Sequence, residues 1–272
     1  MNLIILAGFG VGVLMLLWTV QALALLATGD RHIFVFPYHH GNKSQIVRWA
    51  MKVALQIGLL SILFLYPCAI GKNPWEYHAE KFVPASWQPI IEGLALALGL
   101  LGIPLAINFA LGWVRFAPQF HGWRLAYKIG KSFLIPIPLT LVEEPLFRGI
   151  VQEQFLQGLS PGVIGQVAAL VLGAMLFASV HFIRPHKAIF LPAAGLFGLG
   201  LILGVAYIST GHHYLLPIAL HAGGVWFIQA HRPIIEYRGP AWWIGYSTYP
   251  ICGVLGLSMM IPLEVVLISG VL

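Results

Sequence analysis

Eight apolar runs divide this chain, at about residues 2–27, 49–70, 89–114, 132–155, 160–182, 188–210, 214–231 and 250–271. A helix rises 1.5 Å per residue, so about 20 apolar residues cross a hydrocarbon core ~30 Å thick. Inside hydrocarbon every backbone polar group must bond within the protein, which leaves helices or closed barrels; runs of this length suit helices. The expected fold class is an all-α membrane protein, a polytopic bundle of about eight transmembrane helices forming a single transmembrane domain over residues 1–272. Composition agrees: 59% of the residues are hydrophobic and 9% charged, against roughly 25% charged in soluble proteins. No loop exceeds about 20 residues, and no internal repeat or low-complexity segment stands out. Ala22-Leu23-Ala24 looks like a signal-peptidase site, but no basic segment precedes it and the apolar stretch is too long, so residues 2–27 read as the first span.

The formal charge of +6 is distributed by loop. Arg31, Lys43 and Arg48 fall in the first loop, Arg115, Arg124, Lys128 and Lys131 in the third, Arg184 and Lys187 in the fifth, Arg232 and Arg238 in the seventh. Only Lys72 and Lys81, in the second loop, lie on the other side. By the positive-inside rule the odd loops are cytoplasmic and both termini extracytoplasmic. The basic excess thus reports topology and contact with anionic lipid, not nucleic acid. The third loop mixes Trp123, Tyr127 and basic residues as an interfacial anchor would. Trp87, Trp113, Trp226, Trp242 and Trp243 fall near span ends like an aromatic belt. Gly195, Gly198, Gly200 and Gly204 in the sixth span suit close helix packing. Cys68 and Cys252 lack metal or redox spacing and read as packing residues.

Of nine acidic residues in the chain, Glu143 and Glu144 stand side by side within the fourth span, in Val142-Glu-Glu-Pro-Leu-Phe-Arg-Gly149. An ionisable group at bilayer depth costs several kcal/mol on insertion scales, by rough estimate, and is retained for chemistry, transport or a buried ion pair. Glu144 and Arg148 are four residues apart, about 40° around a helix, and can pair. Glu143 points roughly 140° away from Arg148 and must face another polar group or water. Pro145 lacks an amide hydrogen and crowds the carbonyl of Leu141, so with Pro136 and Pro138 it should distort this helix. Two histidines lie in later spans: His181 ends the fifth, and His221 sits within the seventh. Glu143 is twelve residues past Lys131 and His221 eleven before Arg232, so both lie roughly 15–18 Å from one surface. His181, three residues before Arg184, looks too shallow unless the fifth span ends deep.

Glu143-Glu-Pro-Leu-Phe-Arg-Gly149, Phe177-Ala-Ser-Val-His181 and His221-Ala-Gly-Gly224, in that order on consecutive late spans, resemble the motifs of the CPBP family of intramembrane proteases, also called the CAAX-protease or Abi family. The resemblance covers about residues 130–231. It implies an endopeptidase that hydrolyses membrane-associated proteins without a metal or other cofactor. In it Glu143 would be general base on a water, assisted by His181. His221 would stabilise the oxyanion, and Glu144 with Arg148 would support the site. The expected partners are a membrane-anchored peptide or protein substrate and the lipid bilayer, and the expected location is a bacterial inner membrane. One position departs: Val225 stands where the family often has asparagine. Losing an oxyanion donor typically costs ~10²–10³ in rate, and Asn108 or Gln229 are the candidates to replace it.

Two other readings compete. Glu143, His181 and His221 are chemically adequate zinc ligands, although no His-Glu-x-x-His helix is present. Intramembrane Glu and His also serve non-catalytic scaffolds, immunity proteins or proton-coupled transporters, the last usually built from repeats.

Overall fold

The structure is a computed structural model that describes residues 2–29, 45–82, 86–182, 190–246 and 250–269. Arg31, Lys43, Arg184, Lys187 and Leu272 lie outside these residues. The described chain is almost entirely helical: α1 (Leu3–Ala27), α2 (Gln45–Ala69), α3 (Pro74–Phe82), α4 (Gln88–Ala110), α5 (Gly122–Leu134), α6 (Pro136–Glu144), a π-helical segment (Pro145–Gln152), α7 (Glu153–Gly158), α8 (Val163–His181), α9 (Phe190–Ser209), α10 (Leu215–His231), α11 (Ala241–Ile244), a 3₁₀ turn (Pro250–Cys252) and α12 (Val254–Ser269). Six helical stretches are long and apolar enough to cross a membrane: α1, α2, α4, the composite Gly122–Gly158, α8 and α9. The remaining two apolar runs also form helices, α10 and α12, of 17 and 16 residues. The protein is an all-α polytopic membrane protein. Ile4, Ile57, Val265 and Ile268, each more than half exposed, show the outward apolar faces such a bundle turns to lipid.

Two features set the packing around the centre. α4 and α10 run parallel, backbone against backbone: a Cβ on Gly93 would come within 2.8 Å of the Leu216 carbonyl oxygen and Leu220 nitrogen, and Gly223 lies against Ala97. α8 and α9 run antiparallel, with Gly200 against Ala174 and Gly204 against Leu170. The large core that results joins α2, α4, the π segment, α8, α9, α10 and α12.

Two short strands, which hydropathy does not reveal, pair antiparallel: β1 (Val114–Phe116) with β2 (Ile235–Tyr237), Arg115 opposite Glu236. The Arg115 guanidinium reaches the Glu236 carboxylate at 2.6 Å. This ribbon ties the third and seventh loops together at one end of the bundle. At the other end the Asn2 amide donates to Gln154 of α7 at 2.9 Å, so the start of α1 lies with the end of the composite helix. Trp123 and Tyr127 of α5 face outward. Trp87, at the start of α4, and Trp242 are likewise exposed. Trp226 is not at a helix end; it lies inside α10 with its ring against Phe133 of α5, centroids 5.9 Å apart. Cys68 is exposed and Cys252 buried, and the two form no disulfide.

Candidate active site

The fourth span breaks where its prolines require it. Ile135 separates α5 from α6, and Pro145 opens the eight-residue π segment. A proline has no amide to give to the carbonyl four residues back, so the wider π register relieves the clash and re-routes the backbone bonds. The distortion coincides with the charged motif. Gly149 is required within it, because a Cβ there would overlap the Tyr214 hydroxyl. The Tyr77 hydroxyl of α3 donates to the Gly149 carbonyl at 2.7 Å.

Glu144 and Arg148 are both fully buried. Arg148 Nε donates to Glu144 Oε2 at 3.0 Å, the four-residue pair expected from spacing. The other carboxylate oxygen, Oε1, accepts from Nδ1 of His221 at 2.7 Å. An ionised carboxylate can only accept, so Nδ1 carries a proton and Nε2 is turned the other way. Nε2 faces Glu143, whose Oε2 lies 3.9 Å off, and the Glu143 side chain is about one-seventh exposed (15%). His221 therefore stands between the two glutamates, bonded to one and facing the other.

His181 joins through Phe177, four residues earlier on α8. Its Nδ1 donates to the Phe177 carbonyl at 2.7 Å, and its ring lies 4.6 Å from the Phe177 ring. The Phe177 ring also meets His221 at 5.8 Å, Phe147 at 5.2 Å and the Arg148 guanidinium at 5.3 Å. The fifth span thus ends deep, beside the centre of the bundle, and His181 is not stranded at the surface. Glu143 and Glu144 of α6, Arg148 of the π segment, His181 of α8 and His221 of α10 form one neighbourhood built from four helical segments.

Val225 lines a small cavity beside His221 with Ala97, Leu101, Gly224 and Ile228. The two candidate replacements for an asparagine there are out of reach. Gln229 lies eight residues past His221, about 12 Å along the helix. Asn108 lies eleven residues past Ala97, the α4 residue level with His221 across the parallel pair, about 16 Å away. Among the described residues no three His, Cys, Asp or Glu side chains are grouped so as to hold a metal ion.

Sequence reading missed two sets of residues. Gln152 is fully buried and continues the four-residue spacing from Glu144 and Arg148, the one signal that pointed to it. The second set caps the end of the bundle that holds α3 and α7. Glu153 accepts from the Tyr207 hydroxyl at 2.8 Å, Lys81 Nζ at 3.4 Å and His212 Nδ1 at 2.5 Å, and Lys81 donates to Tyr207 at 2.7 Å. Glu153 ends the same apolar run as Glu143 but carries no recognisable spacing to Lys81, which is distant in sequence.

Fold and centre together define a polytopic membrane protein with a cluster of ionisable side chains inside the bundle. Residues 124–227, which hold every member of that cluster, match the family described as type II CAAX prenyl endopeptidase Rce1-like. By that match, which spans less than half of its length, the chain is similar to the CPBP, or CAAX-protease, family of intramembrane endopeptidases. No curated protein and no solved structure matches it.

Proposed function

We propose that the protein cleaves peptide bonds of membrane-anchored proteins with water activated by Glu143 and His181, without a metal. The observation that carries this reading is the separation of roles between adjacent glutamates. Glu144 is fully buried and committed to Arg148 and His221, whereas the Glu143 side chain keeps some exposure and turns its Oε2 toward Nε2 of His221. A carboxylate in that position is suited to act as general base, worth roughly 10²–10⁴ in rate.

In the proposed cycle Glu143 takes a proton from water, and the resulting hydroxide attacks the scissile carbonyl carbon. His181, whose Nδ1 donates to a carbonyl, presents Nε2 as an acceptor that orients the same water. The oxyanion accepts a hydrogen bond from the protonated Nε2 of His221. Donation from both ring nitrogens requires the imidazolium, whose charge Glu144 and Glu143 offset. Glu143 then passes its proton to the leaving nitrogen as the C–N bond breaks, which restores the starting state. Substrate prenylation, and residence in a bacterial inner membrane with both termini extracytoplasmic, are parts of the same proposal.

The test is cleavage by the reconstituted full chain of two quenched-fluorescent membrane-anchored peptides, one with a farnesylated CAAX end and one without. Wild type cleaves at least one of them, Glu143→Ala loses at least ~10²-fold, and dialysis against a strong chelator changes nothing. Equal rates for wild type and Glu143→Ala would remove Glu143 as the base. Stoichiometric zinc whose removal stops turnover, with recovery on readdition, would replace the mechanism by a metal-dependent one.

A further inference from the structure

Arg148 holds Glu144, and Glu144 holds His221; what holds Arg148 has a definite structural answer. Its Nε is given to Glu144, while Nη1 donates to Gln152 Oε1 at 3.3 Å and to the Gly200 carbonyl of α9 at 3.1 Å. Nη2 has no hydrogen-bond partner among the described residues. Beyond the Glu144 contact and the Phe177 ring, the guanidinium is therefore fastened at Nη1. Gln152 is itself clamped, because its Nε2 donates to the Gly204 carbonyl of α9 at 3.1 Å, one turn beyond Gly200. All three side chains are fully buried, so water does not substitute for a lost partner.

The glycines of α9 make this ladder possible. A Cβ on Gly204 would come within 3.0 Å of Gln152 Oε1 and 2.8 Å of a Leu170 methyl, and one on Gly200 within 2.9 Å of the Ala174 backbone. The spacing of four that suits helix packing thus also presents two carbonyls, at the same repeat, to Arg148 and Gln152.

We propose that Gln152 is a positioning residue of the hydrolytic site: through Arg148 and Glu144 it sets the ring orientation of His221 and the hydrogen bond at its Nδ1. The inference rests on the endopeptidase reading above, but its signature on His221 is independent of turnover. Gln152 touches no reacting atom. It receives Nη1 with one atom and fastens to α9 with the other, so the chain Gln152–Arg148–Glu144–His221 has a fixed origin on a neighbouring backbone. A group that orients the partner of a reacting residue is worth roughly 10–100-fold in activity by analogy with outer-shell partners at metal sites.

Two variants test this in the full-length chain. Gln152→Met keeps shape and removes both hydrogen bonds; Gln152→Glu keeps an acceptor for Arg148 but competes with Glu144 and cannot donate to Gly204. The ¹⁵N and ¹³C imidazole signals of His221, assigned by their loss in His221→Ala, report its protonation and the hydrogen bond at Nδ1 whether or not any peptide is cleaved. We expect the Nδ1–H signature of His221 to shift in both variants while thermal unfolding stays cooperative. With the farnesylated peptide, kcat should fall about 10–100-fold and KM change less than twofold. Unchanged His221 signals in a folded variant would overturn the proposal. So would loss of folded protein in both variants, which would assign Gln152 to the fold alone. If wild type cleaves neither peptide while the signals still shift, the endopeptidase reading fails and the positioning role stands.

Discussion

Adjacent glutamates of identical chemistry acquire different surroundings because a helix separates successive side chains by about 100°. Glu144 turns toward Arg148 and Nδ1 of His221, and Glu143 toward Nε2 of His221. Their neighbours should respond differently to truncation. Arg148→Ala leaves the Glu144 carboxylate buried with its main counter-charge gone, a loss of roughly 3–5 kcal/mol. It should therefore lower the yield and melting temperature of folded protein, while Glu143→Ala leaves both unchanged. Fluorescence-detected size-exclusion with a thermal ramp measures this. Wild-type melting in Arg148→Ala would show that the pair adds nothing to the fold.

At the scale of elements, the π segment is gripped on two sides. α9 supplies carbonyls to Arg148 and Gln152, and α3 supplies the Tyr77 hydroxyl to Gly149. His78, next to Tyr77, extends that grip: its Nε2 donates to the Leu63 carbonyl at 3.1 Å, and Nδ1 accepts from the Tyr214 hydroxyl at 3.0 Å. Burial holds the His78 pKa below the ordinary histidine value; the Leu63 carbonyl opposes this and the Lys81 charge adds to it. The folded state therefore prefers the neutral ring. Its stabilisation is complete above the unfolded pKa, about 6.5, and is lost as pH falls from there through the lower folded value. The melting temperature should decline in that acid window, and His78→Gln, which retains a donor and an acceptor without titrating, should weaken the decline. An identical acid limb in the variant would assign the effect to another group.

For the whole molecule, the two ends carry different bonding. The β1–β2 ribbon joins the third and seventh loops at one end, while Glu153, Lys81, Tyr207 and His212 join the second and sixth loops to α7 at the other, where Asn2 also lies. That grouping follows the alternation expected of eight spans. Reporter fusions near Gly122 should behave as cytoplasmic and those after Leu272 as extracytoplasmic, and the reverse pattern would overturn the charge-based orientation. Fold class was legible from residues alone, because bilayer thickness converts directly into the length of an apolar run. The pairing of Glu144 with Arg148 was legible too, since both sit on one helix and 3.6 residues per turn decides their angle. So was the break at Pro145, which follows from a missing amide. The partner of Glu144 on α10, the deep end of α8, the β ribbon and the clamp of Gln152 on α9 were not legible. Each joins segments tens to more than a hundred residues apart, and a local period carries no information about which distant backbone packs against it. Only the close approach of α8 to α9 and of α4 to α10, through glycines whose spacing merely permitted it, decided which side chains meet.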